Sequence, residues 1–271
     1  PIDIEKEMGY VPNVDVASIV NPLKTEQSTE FTKSVHSENN QIYIPNARKL
    51  ETELAEFYTL DNFLSSEECD LVTDLIKKKL RPSTVVSDNS DDENFRTSST
   101  CDFEKPDPFF AEIDRRICAT LGIDSTYSEI TQGQYYKIGE EFKAHTDFFE
   151  GSELEKQTKK QGQRTFTFMV YLNDVESGGE TEFTRLNQKI KPKKGTAIIW
   201  NNLNEDGSNN HNTVHQAHPV ESGFKSIITK WFRSNGQGPM FTKEPNEYIP
   251  NYTQVGFKKE NLDDQLFEKI K

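Results

Sequence analysis

The feature that most restricts this chain is a change of hydrophobic period part-way along it. From about Ser125 onward apolar residues recur at every second position, in short runs separated by turn chemistry. Segments near 128–136, 142–149, 164–172, 180–184, 188–191, 196–200 and 225–232 read as strands. Turns are supplied by Ser177-Gly178-Gly179, by Pro192-Lys193-Lys194-Gly195 and by the Asn-rich stretch from Asn201 to Asn212. Before this point the pattern is helical. Ser65 and Glu68 have capping-box spacing, Cys69, Val72, Leu75 and Ile76 follow on one helical face, and Arg81-Pro82 stops the run. A second helix is expected from Asp107-Pro108, with Phe109, Ile113, Ile117 and Leu121 on one face and Gly122 as its stop. Helices first and strands afterwards predict an α+β fold with one sheet system, not alternating βαβ units.

This divides the chain into a polar N-terminal extension over 1–50, a folded domain over 51–235 and a Pro- and Lys-rich tail over 236–271, with a short helix expected from Leu262. The acidic run from Ser87 to Asn94 reads as a solvated loop. Lys and Arg number 32 against 45 Asp and Glu, a net charge of -13. Such a chain repels phosphate backbones and anionic lipid, so neither nucleic acid nor a membrane surface is expected as a partner. No apolar run is long enough to span a bilayer, and no basic region followed by an apolar run opens the sequence. Cys69, Cys101 and Cys118 cannot all pair and show no CxxC spacing. A reducing, cytoplasmic setting is the expectation, with the thiols as small buried groups.

The chemistry-bearing residues lie within the strand region. In Phe142-Lys143-Ala144-His145-Thr146-Asp147-Phe148 a strand would turn His145 and Asp147 to one face and Phe142, Ala144, Thr146 and Phe148 to the other. An imidazole and a carboxylate presented together need a third ligand, for which His211, His215 and His218 are candidates. Two imidazoles and one carboxylate suit ferrous iron and leave positions open. His211 and His215 are four apart, but the Asn residues and Pro219 around them argue against a helical zinc pair. Downstream, Lys225 opens a strand on which Lys225, Ile227, Thr229 and Trp231 share a face. An inward Lys is costly unless it meets an anion. Trp200 and the Phe166, Phe168, Val170, Leu172 stripe read as core.

Taken in order, these residues resemble the 2-oxoglutarate- and Fe(II)-dependent oxygenases of the prolyl 4-hydroxylase type. The resemblance is carried by Tyr136-x-x-Gly139-Glu140-x-Phe142-x-x-His145-x-Asp147, Arg164, Tyr171-Leu172-Asn173-Asp174-Val175 and Gly178-Gly179-Glu180-Thr181-x-Phe183. It continues through Pro192-Lys193-Lys194-Gly195-Thr196-Ala197 and His215-x-x-x-Pro219-Val220-x-x-Gly223-x-Lys225 to Trp231, and Arg96-Thr97-Ser98 also fits.

The resemblance implies a double-stranded β-helix (jelly-roll) core with supporting helices on one side. It implies iron on His145, Asp147 and His215, and 2-oxoglutarate held at its distal carboxylate by Lys225 with Tyr136 as a second partner. It places Arg164 and Trp231 at the substrate channel, and Phe142 where relatives often carry a Tyr beside the target proline. Segments 87–95 and 150–163 correspond to substrate-covering loops. The implied activity is hydroxylation of prolyl residues in a peptide or protein, coupled to decarboxylation of 2-oxoglutarate to succinate, with ascorbate as reductant. Related halogenases lack the carboxylate ligand, so Asp147 favours hydroxylation. Hydroxylation of a free amino acid or other small molecule, a non-catalytic peptide-binding module, and a metal-dependent hydrolase on a similar barrel are the alternatives. The oligomeric state is left open.

Overall fold

The computed structural model describes residues 42, 44, 46–83, 95–103 and 108–241. The run from Ser87 to Asn94, His36 and the tail helix expected from Leu262 lie outside the described residues. Fourteen strands and three helices follow in chain order: β1 (Arg48–Lys49), β2 (Phe57–Leu60), α1 (Ser66–Lys78), β3 (Arg81–Pro82), β4 (Ser99–Asp102), α2 (Pro108–Leu121), β5 (Gln132–Tyr136), β6 (Phe142–His145), α3 (Leu154–Gln161), β7 (Arg164–Tyr171), β8 (Ser177–Gly178), β9 (Thr181–Phe183), β10 (Gln188–Ile190), β11 (Ala197–Asn201), β12 (His215–Ala217), β13 (Val220–Ser222) and β14 (Lys225–Arg233). The main sheet has the order β1-β2-β11-β7-β14-β5-β4-β3, and a smaller sheet has the order β10-β9-β12-β6. Adjacent pairs in both are antiparallel.

Period-two patterning decides how these layers stack. On β7, Phe166, Phe168, Val170 and Leu172 enter a core with Val72 and Ile76 of α1 and Ile113, Ile117 and Leu121 of α2. The alternate residues Met169 and Tyr171 face a second core shared with Phe183 and Ala217 of the small sheet. The helices therefore cover one face of the main sheet, and the small sheet closes over the other. Each fully buried Ile, Leu or Phe contributes about 1.5–3 kcal/mol to this stacking.

Both helices start as the sequence predicts. The Ser65 hydroxyl accepts from the Glu68 N–H while the Glu68 carboxylate accepts from the Ser65 N–H, completing the capping box of α1. Glu68 also binds Arg116 of α2 at 2.6 Å, and both side chains are buried. Gly122 ends α2 with a φ of 65°.

Several expectations are corrected. Ile42 and Ile44, inside the expected polar extension, are buried. The Tyr58 hydroxyl donates to the Ile42 carbonyl, and β1 pairs with β2. At the other end Met240 is buried and its carbonyl accepts from the Asp124 N–H. The strand expected over 142–149 stops at His145, and residues 150–163 carry α3. Strands β1, β2, β3, β4, β8, β12 and β13 lie outside the expected strand segments. All three cysteines are free and buried, and burial pushes the Cys69 thiol up to about 12 and that of Cys118 to about 11. Among the described residues no helix is long and apolar enough to cross a membrane.

Candidate active site

The small sheet presents the ligand set. His145 ends β6, His215 opens β12, and the two are directly paired across the ladder with ring centroids 4.3 Å apart. Asp147 follows two residues past His145 and is buried. One ligand atom from each of His145, Asp147 and His215 lies within 4.8 Å of the others, so these three could hold a metal ion.

The hydrogen bonds around them fix which atoms are free. A backbone carbonyl can only accept, so His145 Nδ1 must donate to the Lys143 carbonyl at 2.7 Å, and His215 Nδ1 to the Thr213 carbonyl at 3.0 Å. Both Nε2 lone pairs are thereby left for a cation. Thr167 Oγ1 donates to Asp147 Oδ2 at 2.7 Å. Burial works to raise the Asp147 carboxyl, but the facing His215 and His145 outweigh it and hold the group below its ordinary value. Burial and the neighbouring His215 lower the pKa of His145. A carboxylate held as its anion beside two imidazole nitrogens is the donor set a divalent metal requires.

Lys225 opens β14 directly opposite Tyr136 of β5 and is 1% exposed. Its Nζ donates to Thr181 Oγ1 at 3.3 Å, and the Glu180 charge acts on it more weakly than burial does. Burial pushes its pKa down to about 7. Lys225, Tyr136, Thr181, Ile227, Thr229 and Trp231 line one narrow cavity with the three ligand residues. A buried ammonium beside a free His-Asp-His face fits a dicarboxylate bound to a metal at one end and to Lys225 at the other. Behind Lys225 the chain turns tightly at Gly178, where φ is 73° and a Cβ would stand 2.3 Å from the Pro219 carbonyl oxygen.

A wider groove of about 790 Å³ opens from the same face, bounded by Phe142, Arg164, Trp231 and residues of the 147–161 segment. Trp231 Nε1–H is buried without a partner. Arg164 lies 4.0 Å over the Trp231 ring, but its guanidinium is committed to Glu129 through two bonds of 2.7 and 2.8 Å. Glu129 is shared with Arg233 at 2.8 Å. Burial opposes the Glu129 charge, but the two arginines prevail and its pKa falls. Nothing in the local pattern marks Glu129 as the acid that pairs with Arg164.

Phe142 departs from the alternation expected of it. Its ring stacks on His145 with centroids 3.6 Å apart, and Arg96 lies 4.8 Å over the same ring. The reason is a bulge: β12 advances two residues from His215 to Ala217 while β6 spans three from His145 to Phe142. The extra residue brings Phe142 round to the imidazole's side.

Among the described residues, His211 and His218 stay out of the ligand set. His211 lies in a 3-10 turn with its ring 5.0 Å from Phe148 at the groove. His218 is 2.6 Å from Glu182. Trp200 is core as expected, but its ring also abuts His215 at 4.9 Å.

Comparison with known proteins agrees with this geometry. Residues 131–233, which hold all three ligand candidates and Lys225, match the model of the 2OG-Fe(II) oxygenase superfamily. The chain is 30% identical over 219 residues to a probable prolyl 4-hydroxylase 6 of Arabidopsis thaliana, covering 72% of this chain and 75% of that protein. This chain belongs to the prolyl 4-hydroxylase family of 2OG-Fe(II) oxygenases. It is also 33% identical over 177 residues to the prolyl 4-hydroxylase subunit alpha-2 of Gallus gallus, covering 64% of this chain. The chain spans about a third of the length of that longer relative. Among solved structures it resembles the viral collagen prolyl hydroxylase of Paramecium Bursaria Chlorella virus-1 in its 2OG complex. That likeness has a TM-score of 0.51 and 29% identity, and covers 65% of this chain and 95% of the viral one. The two facing sheets are therefore the double-stranded β-helix of this family, with Fe(II) and 2-oxoglutarate as its metal and co-substrate.

Proposed function

We propose that the chain hydroxylates prolyl residues of a peptide or protein, consuming 2-oxoglutarate and dioxygen and releasing succinate and carbon dioxide. The observation that carries this reading is the convergence of His145, Asp147 and His215 at the base of an open groove of about 790 Å³, with the buried Lys225 close behind. An open groove of this volume has room for a peptide segment beyond a single amino acid.

In this reading the two histidine Nε2 atoms and the Asp147 oxygen not bonded to Thr167 hold Fe(II). Lys225 receives the distal carboxylate of 2-oxoglutarate, and Tyr136 joins it by turning its hydroxyl proton from Gln134 to the carboxylate. The bound metal and co-substrate supply the oxidising power that converts a C–H bond to an alcohol, with ascorbate as the reductant that keeps iron ferrous. The chain's own part is to orient and to exclude water. The Nδ1–H bonds lock both imidazoles. Phe183 and Trp200 wall His215 with aromatic rings at 5.0 and 4.9 Å. Trp231 offers an indole N–H to a carbonyl of the entering peptide, and the Arg164–Glu129 pair holds that ring in place.

The test is incubation of the chain with Fe(II), ascorbate, 2-oxoglutarate and a peptide library, followed by fragmentation mass spectrometry. Gain of one oxygen on proline, dependent on dioxygen and stoichiometric with succinate, is the expected result. Oxygen gained only on a free amino acid favours the small-molecule reading. Absence of succinate under all conditions returns the chain to a binding role.

A further inference from the structure

We infer that Trp200, Asn202 and Thr167 form a one-way hydrogen-bonded chain that positions the carboxylate of Asp147 for the metal; this rests on the ligand assignment above. The three residues are at most 1% exposed. Trp200 and Thr167 are paired across β11 and β7 in the wall of the barrel. Trp200 Nε1 lies 2.9 Å from Asn202 Oδ1, Asn202 Nδ2 lies 2.9 Å from Thr167 Oγ1, and Thr167 Oγ1 lies 2.7 Å from Asp147 Oδ2.

The direction of every bond follows from the first. An indole N–H can only donate. Asn202 must therefore turn its oxygen toward Trp200, which fixes an amide orientation that heavy-atom positions alone leave ambiguous. Its NH₂ then faces Thr167 and occupies an acceptor site of that hydroxyl. The Thr167 proton is left to point at Asp147. A hydroxyl on a strand is ordinarily free to rotate between partners, but here its rotor has one setting.

Two consequences follow for Asp147. One carboxylate oxygen is held by a neutral donor, so the other is presented to the cation. The hydroxyl proton also stabilises the anion without adding a positive charge that would compete with the metal. The main-chain ties of Asn202 make it a rigid relay: its N–H donates to the Thr165 carbonyl at 2.6 Å, and its carbonyl accepts from the Asn210 N–H at 2.9 Å. Trp200 touches the other side of the site as well, since its ring lies edge-on to His215 at 4.9 Å. One indole thus orders a chain to the carboxylate ligand and supports an imidazole ligand.

The inference makes Thr167 a positioning residue, tested by calorimetric titration of Fe(II), without oxygen or 2-oxoglutarate, into the metal-free full chain and its variants. Thr167→Val keeps the shape and removes the donor, and its Fe(II) affinity is expected to fall about 10–100-fold with little change in melting temperature. Thr167→Ser restores the hydroxyl and is expected to recover the affinity. Trp200→Phe removes the N–H that orders the chain, together with part of the ring that abuts His215, and is expected to give an intermediate loss. Equal Fe(II) affinity in Thr167→Val and the parent chain overturns the inference, as does failure of Thr167→Ser to recover. If Thr167→Val does not fold, unchanged affinity in Trp200→Phe overturns it instead. An unsubstituted chain that takes up no Fe(II) overturns the ligand assignment itself, a result distinct from these.

Discussion

Lys225 and Tyr136 stand directly opposite one another across the β5–β14 ladder, with the ammonium 5.3 Å from the centre of the phenol ring. The ring face attracts the cation, and the Tyr136 hydroxyl is occupied in donating to Gln134 at 2.9 Å. Neither replaces the water that burial has removed, so the lysine's pKa comes down to about 7.

Binding of 2-oxoglutarate is therefore expected to depend on pH through Lys225. Below about 7 the ammonium is already formed; above it, a proton must be taken up before a carboxylate can be paired. Affinity should weaken as pH rises past that point, by up to about tenfold per pH unit. In the free protein the depressed pKa has the opposite consequence for folding. The unfolded chain binds more protons between about 7 and 10.5, so stability rises with pH across that window. Calorimetry in buffers of different ionisation enthalpy reads the proton uptake directly, and pH-independent binding without uptake would contradict it.

Replacing the ammonium separates co-substrate binding from metal binding. Lys225→Ala should raise the apparent KM for 2-oxoglutarate about 100-fold or more, the cost of losing a buried charged partner. Fe(II) affinity should barely change. Steady-state kinetics at varied 2-oxoglutarate and varied Fe(II) decide the matter, and equal rises in both would indicate general damage to the fold.

Asp147→Ala should abolish Fe(II) retention and turnover while the fold survives, because the carboxylate sits two residues past the end of β6 and outside both apolar cores. Metal analysis after gel filtration, together with a thermal melt, checks both halves of this expectation. A variant that keeps its iron and its activity would remove Asp147 from the ligand set.

Glu68 offers a prediction about stability alone. It closes the capping box of α1 and neutralises Arg116 in the interior, where both side chains are 1% exposed. Glu68→Ala leaves a buried guanidinium without its carboxylate and should cost about 3–5 kcal/mol. Adding Arg116→Met should recover part of that loss. Denaturant unfolding of the single and double variants measures both, and Fe(II) affinity should be the same in each.

Much of this site was legible because it obeys local rules. The two-residue spacing of His145 and Asp147 put both at one face, and the alternation of Lys225, Ile227, Thr229 and Trp231 placed all four along the same narrow cavity. Which histidine completed the set was not readable from period, and the resemblance to the family supplied His215. What escaped detection is non-local. Glu129 and Arg164 are 35 residues apart, and nothing near either one announces the other. Thr167 sits between apolar neighbours and looks like an ordinary strand residue until Asn202 and Asp147 converge on it. Strand β12 has three residues, too few to show a period, and α3 has one apolar residue, Leu154, to mark a face.

The bulge between β6 and β12 decides what rests on the imidazole of His145. Because three residues of one strand are matched to two of the other, the identity of the stacking group is set by chain length and not by choice of side chain alone. Without the bulge, a strand of the same length would carry the benzyl group to the opposite side of the sheet and leave one flank of His145 open to water. With this offset, Phe142 can be exchanged for Tyr without redrawing the ladder that pairs His145 with His215.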